Sequence, residues 1–442
     1  MMSTSTAPGD IPGYWRAPLD AAARKIAARA ASGARIGLFF FTDLHVAANH
    51  GRSGALIAAL ARMTGIRTAL CGGDFTPAFA DGFPSDRAAL DDAADGYRRL
   101  WVEPLAAAGV TLLTAKGNHD FTIRHALDSD EGCAFSAEET RQVILGSCAP
   151  ATQCAGPGDP DACCFFRDDP ASRVRFIVAD TTDSRTTARR YWSLIDGMRE
   201  PQLLWLASTA FGSVPPGWDI VVMQHIPVAG CAAKPEDATL FAPFRTLLEA
   251  YQNRATWRLG NRAFDFSAAT GHIVLDLCGH HHAEREAFSG GILHAMGPCD
   301  AAYDDYAFGS PLCGTLPRKE PGTPYEQTFD CVQLDPARSL AHFTRIGGGQ
   351  DKTIHTLATA IAPGETRRLE APHLRGPVTW TAYDSDAFIA RDNPANRWSK
   401  LISYRSTRVE IAPDGLARRL LPGPAMAVAL DGSLNKEIFP LV

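Results

Sequence analysis

The sequence predicts an α/β fold: a layered domain over residues 35–350, a helical segment (1–34) before it and a small β-rich module (351–442) after it. Two patterns carry that expectation. Short, nearly continuous apolar runs alternate along most of the chain with longer helical or irregular stretches, as buried strands joined by helices do. Beyond Gly347-Gly348-Gly349 this rhythm gives way to short alternating segments separated by turn residues. Composition supports a sizeable core. Of 442 residues, 45% are apolar and 21% charged, a balance that excludes disorder for most of the chain.

Leu19–Ala31 is rich in Ala and Arg and reads as an amphipathic helix stopped near Gly33. The strand-like runs are Ile36–Phe41, Thr68–Cys71, Val110–Ala115, Val174–Ala179, Ile220–Met223, Ile273–Cys278 and Ile292–Ala295. Their lack of polar alternation suits sheets covered on both faces. Between them, Ala88–Ala107 and Phe241–Tyr251 read as helices. Residues 131–170 break the rhythm with a cysteine cluster and Gly156-Pro157-Gly158-Asp159-Pro160, and read as an insertion loop. Pro298–Pro324 reads the same way. Thr328–Leu334 and Ala341–Ile346 form a predicted hairpin around Asp335-Pro336. In the last module, Val378–Tyr383 alternates, and turn signals recur at Pro413-Asp414-Gly415 and Asp431-Gly432. Trp380, Tyr383 and Trp398 are its expected core aromatics.

Charge narrows the partners. The net charge is −6 with no basic run, which argues against nucleic acid and against an anionic membrane surface. No stretch approaches the roughly 18 apolar residues that span a bilayer. Ile36–Phe41 is too short for a signal peptide and no cleavage site follows it, so a cytoplasmic location is expected. Of 11 cysteines, five cluster at Cys133, Cys148, Cys154, Cys163 and Cys164, without the spacing of a redox or zinc motif. Reduced, mostly buried thiols are the expectation.

Five of the strand-like runs end in residues that can bind metal. Asp43-Leu44-His45 follows the first, Gly72-Gly73-Asp74 the second and Gly117-Asn118-His119-Asp120 the third. Gln224-His225 follows Ile220–Met223, and Gly279-His280-His281-His282 follows Ile273–Cys278. Sites in layered α/β folds form beyond the carboxyl ends of strands, where these blocks can converge. In an extended segment, residues two apart face the same way, so Asp43 with His45, and His280 with His282, can address one ion. Carboxylates and imidazoles suit Zn, Mn, Fe or Ni. Gathering so many ionisable groups is costly without a cation to neutralise them.

In this order and strand context, the five blocks resemble the calcineurin-like metallophosphoesterase superfamily over about residues 36–282. The resemblance implies a four-layer α/β/β/α sandwich and a site for two divalent metal ions. Asp43, His45 and His282 would hold the first ion, and Asn118, His225 and His280 the second, with Asp74 bridging both. His119 would stand beside the leaving group as general acid, with Asn118 as an added hydrogen-bond donor. The implied reaction is phosphoester hydrolysis by metal-activated hydroxide on a small phosphorylated substrate, a phosphomonoester ahead of a phosphodiester. The alternatives are a phosphodiesterase of nucleotide or lipid-headgroup type using the same site, and a non-catalytic binding protein. Pro77 stands where purple acid phosphatases carry a Tyr and Ser/Thr protein phosphatases an Asp, so neither branch's signature is expected. His50, His125, Arg124 and Asn49 beside the blocks, and the Arg185, Arg189, Arg190 run, could contact substrate but read equally as solvated positions.

Overall fold

A computed structural model describes residues 11–46, 51–76, 87–120, 135–146, 156, 162–183, 197–229, 240–301, 319–386 and 406–442. The first strands are β1 (Ile36–Phe41), β2 (Thr68–Cys71), β3 (Thr111–Thr114), β4 (Phe165–Asp169), β5 (Val174–Val178), β6 (Asp219–Met223), β7 (Thr256–Leu259) and β8 (Arg262–Asp265). Then come β9 (His272–Cys278), β10 (Arg285–Ser289), β11 (Ile292–Met296), β12 (Thr328–Asp335), β13 (Leu340–Gly347) and β14 (Lys352–His355). The last are β15 (Thr366–Arg368), β16 (Thr379–Asp384), β17 (Val409–Ile411), β18 (Leu416–Arg419), β19 (Ala425–Leu430) and β20 (Lys436–Leu441).

The fold is mixed α/β, built on two large sheets. The nine-stranded sheet runs β16-β19-β20-β14-β13-β12-β1-β2-β3, and the six-stranded sheet runs β10-β11-β9-β6-β5-β4. Within the first, β1, β2 and β3 are parallel, with Phe39 opposite Ala69 and Ala69 opposite Leu112. Within the second, β5, β6, β9 and β11 are parallel. Along β5 and β6, alternate residues enter different cores. Val174, Phe176, Val178, Val221 and Met223 share a cluster with Leu38, Phe40 and Leu70 of the nine-stranded sheet. Ile177, Ala179, Ile220 and Val222 face a second cluster with Leu206, Leu247 and Leu248, from the segments Leu206–Phe211 and Ala242–Gln252. Burying each Phe of the Phe39-Phe40-Phe41 run contributes about 1.5–3 kcal/mol, which holds β1 inside its sheet, between β12 and β2.

The helix expected over Ala88–Ala107 is interrupted. Arg87–Tyr97 passes into a π-helical stretch, Arg98–Val102, before Glu103–Ala107. Pro104 cannot donate to the carbonyl one turn back, and the backbone there packs on the helix Ser53–Thr64. A Cβ on Gly54 would sit 2.1 Å from the Leu100 carbonyl oxygen, so glycine permits that approach.

Two expectations change. Residues 131–170 are not all loop: Ala137–Gly146 is a helix, and β4 pairs antiparallel with β5. The helix start had a readable cue in Ser136 and Glu139, which form a reciprocal capping box, Ser136 Oγ accepting from Glu139 N at 3.1 Å and Glu139 Oε2 from Ser136 N at 2.8 Å. The segment after 351 is β-rich, but β14, β16, β19 and β20 continue the nine-stranded sheet, and only β15, β18 and β17 form a small sheet of their own. Tyr383 accordingly lies in the main core, whereas Trp380 packs on the smaller cluster around Phe439. Trp398, Cys133, Cys148 and Cys154 lie outside the described residues. Cys163 and Cys164 are buried free thiols. Among the described residues no helix is long and apolar enough to cross a membrane.

Candidate metal centre

The parallel strands of both sheets direct their carboxyl ends to one place. β1 delivers Asp43 and His45, β2 delivers Asp74, and β3 delivers Asn118 and His119. β6 and β9 of the other sheet deliver His225, then His280 and His282. Asp43, His45, Asp74 and His282 offer donor atoms within 4.8 Å of one another. His282 Nε2 is 3.1 Å from His45 Nε2 and 3.2 Å from Asp43 Oδ1. Asn118 Oδ1 is 2.9 Å from His225 Nε2 and 2.7 Å from His280 Nδ1. Asp74 links the halves, with Oδ2 3.2 Å from His225 Nε2 and 3.8 Å from His119 Nε2.

The convergence does not come from extended strand geometry, as the two-residue spacing had suggested. Asp43, His45, Asp74, His280 and His282 all have positive φ, from 43° to 76°. Non-glycine residues rarely adopt this left-handed region, and such strain concentrates at functional sites. Tight turns, not the pleat, aim these side chains. Glycines in the blocks make room: a Cβ on Gly117 would lie 2.1 Å from Asp74 Oδ1, and one on Gly279 2.0 Å from Thr42 Oγ1. Asp120 does not orient the His119 ring. Its carboxylate accepts backbone N–H groups of Gly117 (2.7 Å), Asp74 (2.9 Å) and Phe75 (2.7 Å), clamping the second turn to the third. His119 is pinned through its backbone: its N–H donates to Asp74 Oδ1 at 2.8 Å and its carbonyl accepts from Thr76 Oγ1.

The donor set fits cations. The Nδ1–H of His45 donates to the Thr76 carbonyl (3.0 Å) and that of His225 to the Gly72 carbonyl (2.7 Å). Each Nε2 is then a bare lone pair. His225 Nε2 faces a carboxylate oxygen and an amide oxygen, and His45 Nε2 faces another imidazole nitrogen. Lone pairs opposed this closely repel unless a cation or a proton lies between them. Proton binding reflects the same field. Burial pulls His225 down, but Asp74 and Asp43 lift it to about 9. Burial pushes Asp43 up, yet His282 holds it at about 2, and His225 and His119 hold Asp74 well below the carboxylate range against the same burial. Burial lowers His45 to about 4 and His119 to about 3.

All eight residues singled out in the sequence therefore meet at one site. A ninth side chain, Cys299, had no motif to reveal it: its Sγ lies 3.1 Å from the Asp43 carbonyl oxygen. Pro77, Asn49, His50, Arg124, His125, Arg185, Arg189 and Arg190 lie outside the described residues.

No protein-family model matches the chain, and no curated protein matches it. Among solved structures, similarity is found to GAP50, the anchor in the inner membrane complex of Plasmodium, at 12% identity and TM-score 0.37, over 70% of this chain and 84% of that one. Phosphopantetheinyl hydrolase from Mycobacterium tuberculosis gives 12% identity and TM-score 0.29, over 60% and 91%. A Vps29 single mutant from Entamoeba histolytica gives 11% and 0.24, over 71% and 100%. Scores this low carry no functional inference, so the chemistry has to be read from the residues.

Proposed function

We propose that the chain is a metal-dependent phosphoester hydrolase acting on a small phosphorylated substrate, a phosphomonoester ahead of a phosphodiester. One observation carries the reading: carboxylates, an amide and four imidazoles from five strand ends gather with bare acceptor atoms facing one another. Asp43, His45 and His282 would hold one divalent ion and Asn118, His225 and His280 another, with Asp74 reaching both. Bound there, such ions stabilise phosphoryl oxygens and lower the pKa of water.

The remaining work belongs to the chain. The left-handed turns hold the donor side chains in place before substrate arrives, so little reorganisation is needed. His119, fixed at its own backbone, would hold a proton for the departing oxygen. A phosphoryl dianion beside it would raise its pKa, opposing the burial that lowers it now. Asn118 turns its Oδ1 to the two imidazoles, which leaves its amide N–H groups for a phosphoryl oxygen. The four-layer α/β/β/α order belongs to this reading, supported by the two core clusters on opposite faces of β5 and β6. So does a cytoplasmic setting, supported by free thiols at all six described cysteines.

A screen of purified protein against phosphomonoesters, phosphodiesters and nucleotides, with Mn, Zn and Ni supplied in turn, tests the proposal. Metal-dependent release of phosphate is expected. Metal-loaded protein inert toward every substrate would leave a binding protein instead.

A further inference from the structure

The ligand set above leaves one buried donor unused. Cys299 is fully buried in the segment after β11, and its Sγ, with ligand nitrogens of His45 and His282, forms a group in which all three atoms lie within 4.8 Å of one another. We propose that Cys299 is a thiolate ligand to the ion held by Asp43, His45 and His282, and that it makes this position select thiophilic ions, Zn²⁺, Co²⁺ or Fe²⁺, over Mn²⁺ and Mg²⁺. The inference rests on the metal-centre reading given under the proposed function.

The backbone holds the sulfur in place. The Asp300 N–H donates to the Thr42 carbonyl at 2.9 Å and the Ala301 N–H to the Asp43 carbonyl at 3.2 Å, so the cysteine segment is tied to the turn that carries Asp43. The thiol now donates to that same Asp43 carbonyl at 3.1 Å. On coordination the S–H bond breaks, the proton leaves to solvent, and no electron is transferred. The carbonyl loses one donor but keeps the Ala301 N–H. Lys319 Nζ donates to the Cys299 carbonyl oxygen at 2.5 Å, a further anchor for the segment's backbone. Distances allow the bond. Zinc binds sulfur at about 2.3 Å and imidazole at about 2.0–2.1 Å, so donors on one ion lie at most about 4.4 Å apart. In a tetrahedral shell those bond lengths place sulfur and nitrogen about 3.6 Å apart, so donors now within 4.8 Å of one another would close by up to about 1 Å on binding. Cys71, Cys278 and Cys331, in contrast, lie within β2, β9 and β12, and none belongs to a donor group among the described residues. A soft sulfur ligand shifts selectivity toward soft ions.

Cobalt provides the test. Co²⁺-loaded full-length protein should show a sulfur-to-cobalt charge-transfer band in the near ultraviolet beside the visible d–d bands. Cys299→Ser should lose the first and keep the second, while Cys331→Ser keeps both. Competition between Zn²⁺ and Mn²⁺ should show the Cys299→Ser preference for zinc reduced on the order of 10–100-fold. X-ray absorption at the zinc edge of unmodified protein keeps the question open to test even if the variant misfolds: a sulfur scatterer at about 2.3 Å is expected. Bound metal with neither the charge-transfer band nor a sulfur scatterer overturns this inference and leaves the metal centre standing. A protein that takes up no cobalt or zinc overturns both.

Discussion

His119 and His225 both approach Asp74 Oδ2, at 3.8 and 3.2 Å, and should fail in different ways when removed. His119→Ala should keep its metal and lose about 10²–10⁴-fold in turnover of an alkyl phosphate, whose leaving oxygen needs a proton. The loss should be smaller for nitrophenyl phosphate, which departs unaided. His225→Ala should lose metal and activity together. Kinetics on both substrates with elemental analysis separate the cases, and a His119→Ala protein that loses metal and slows both substrates equally would make His119 a ligand. These two residues were legible because each sits in an ordered series of strand-end blocks. Asp120 was not: its partners Asp74 and Phe75 are 46 and 45 residues away in sequence, and only the folded turns bring them to its oxygens. Cys299 was not legible because a lone cysteine in an irregular segment carries no spacing.

Strand β10 is joined to the nine-stranded sheet by buried charge. Glu284, just before β10, meets Arg345 of β13 at 2.8 Å, Lys352 of β14 at 2.8 Å and Lys436 of β20 at 2.7 Å, and Glu286 meets Lys352 at 2.5 Å. Glu284→Ala would leave three cations partly uncompensated and should cost about 3–5 kcal/mol in urea unfolding. A loss under about 1 kcal/mol would show that solvent reaches the cluster. Burial raises the Glu284 pKa, but Lys352, Lys436 and Arg345 together hold it well below its ordinary 4.5. Its contribution is therefore complete above pH 4.5 and lost as pH falls through the depressed value. Unfolding at decreasing pH should show this slope below pH 4.5, and Glu284→Gln should flatten it. None of this network was legible, because its members come from strands far apart in sequence. Continuous apolar runs such as Ile36–Phe41 and Ile220–Met223 were found, since burial on both faces leaves a local mark. β10 was missed although Gly290-Gly291, both at positive φ, close a two-residue hairpin between Ser289 and Ile292. β14 and β20 were placed in a separate module because pairing partners are not written in composition.

At the scale of the whole molecule, both sheets bring candidate ligands to one place, so ion binding there should fasten β1, β2 and β3 to β6 and β9. Ions that bind only the folded state stabilise it by about 2.7 kcal/mol at a hundredfold excess over Kd. Chelation should therefore lower the melting temperature, and His225→Ala should melt with little response to chelator; equal responses in the two proteins would mean that the ions bind elsewhere. Because Asp74 and Asp43 lift His225 to about 9 against its burial, protons compete with the ions there, so affinity should weaken as pH falls. The central claim is that Asp43, His45, Asp74, Asn118, His225, His280 and His282 form a two-ion site. Elemental analysis of protein equilibrated with Zn or Mn and then desalted tests it most directly. The expected result is about two divalent ions per chain, falling in His225→Ala and unchanged in His119→Ala. Protein that retains no ion, and gains no phosphoesterase activity from Mn, Zn, Fe or Ni, would contradict the account.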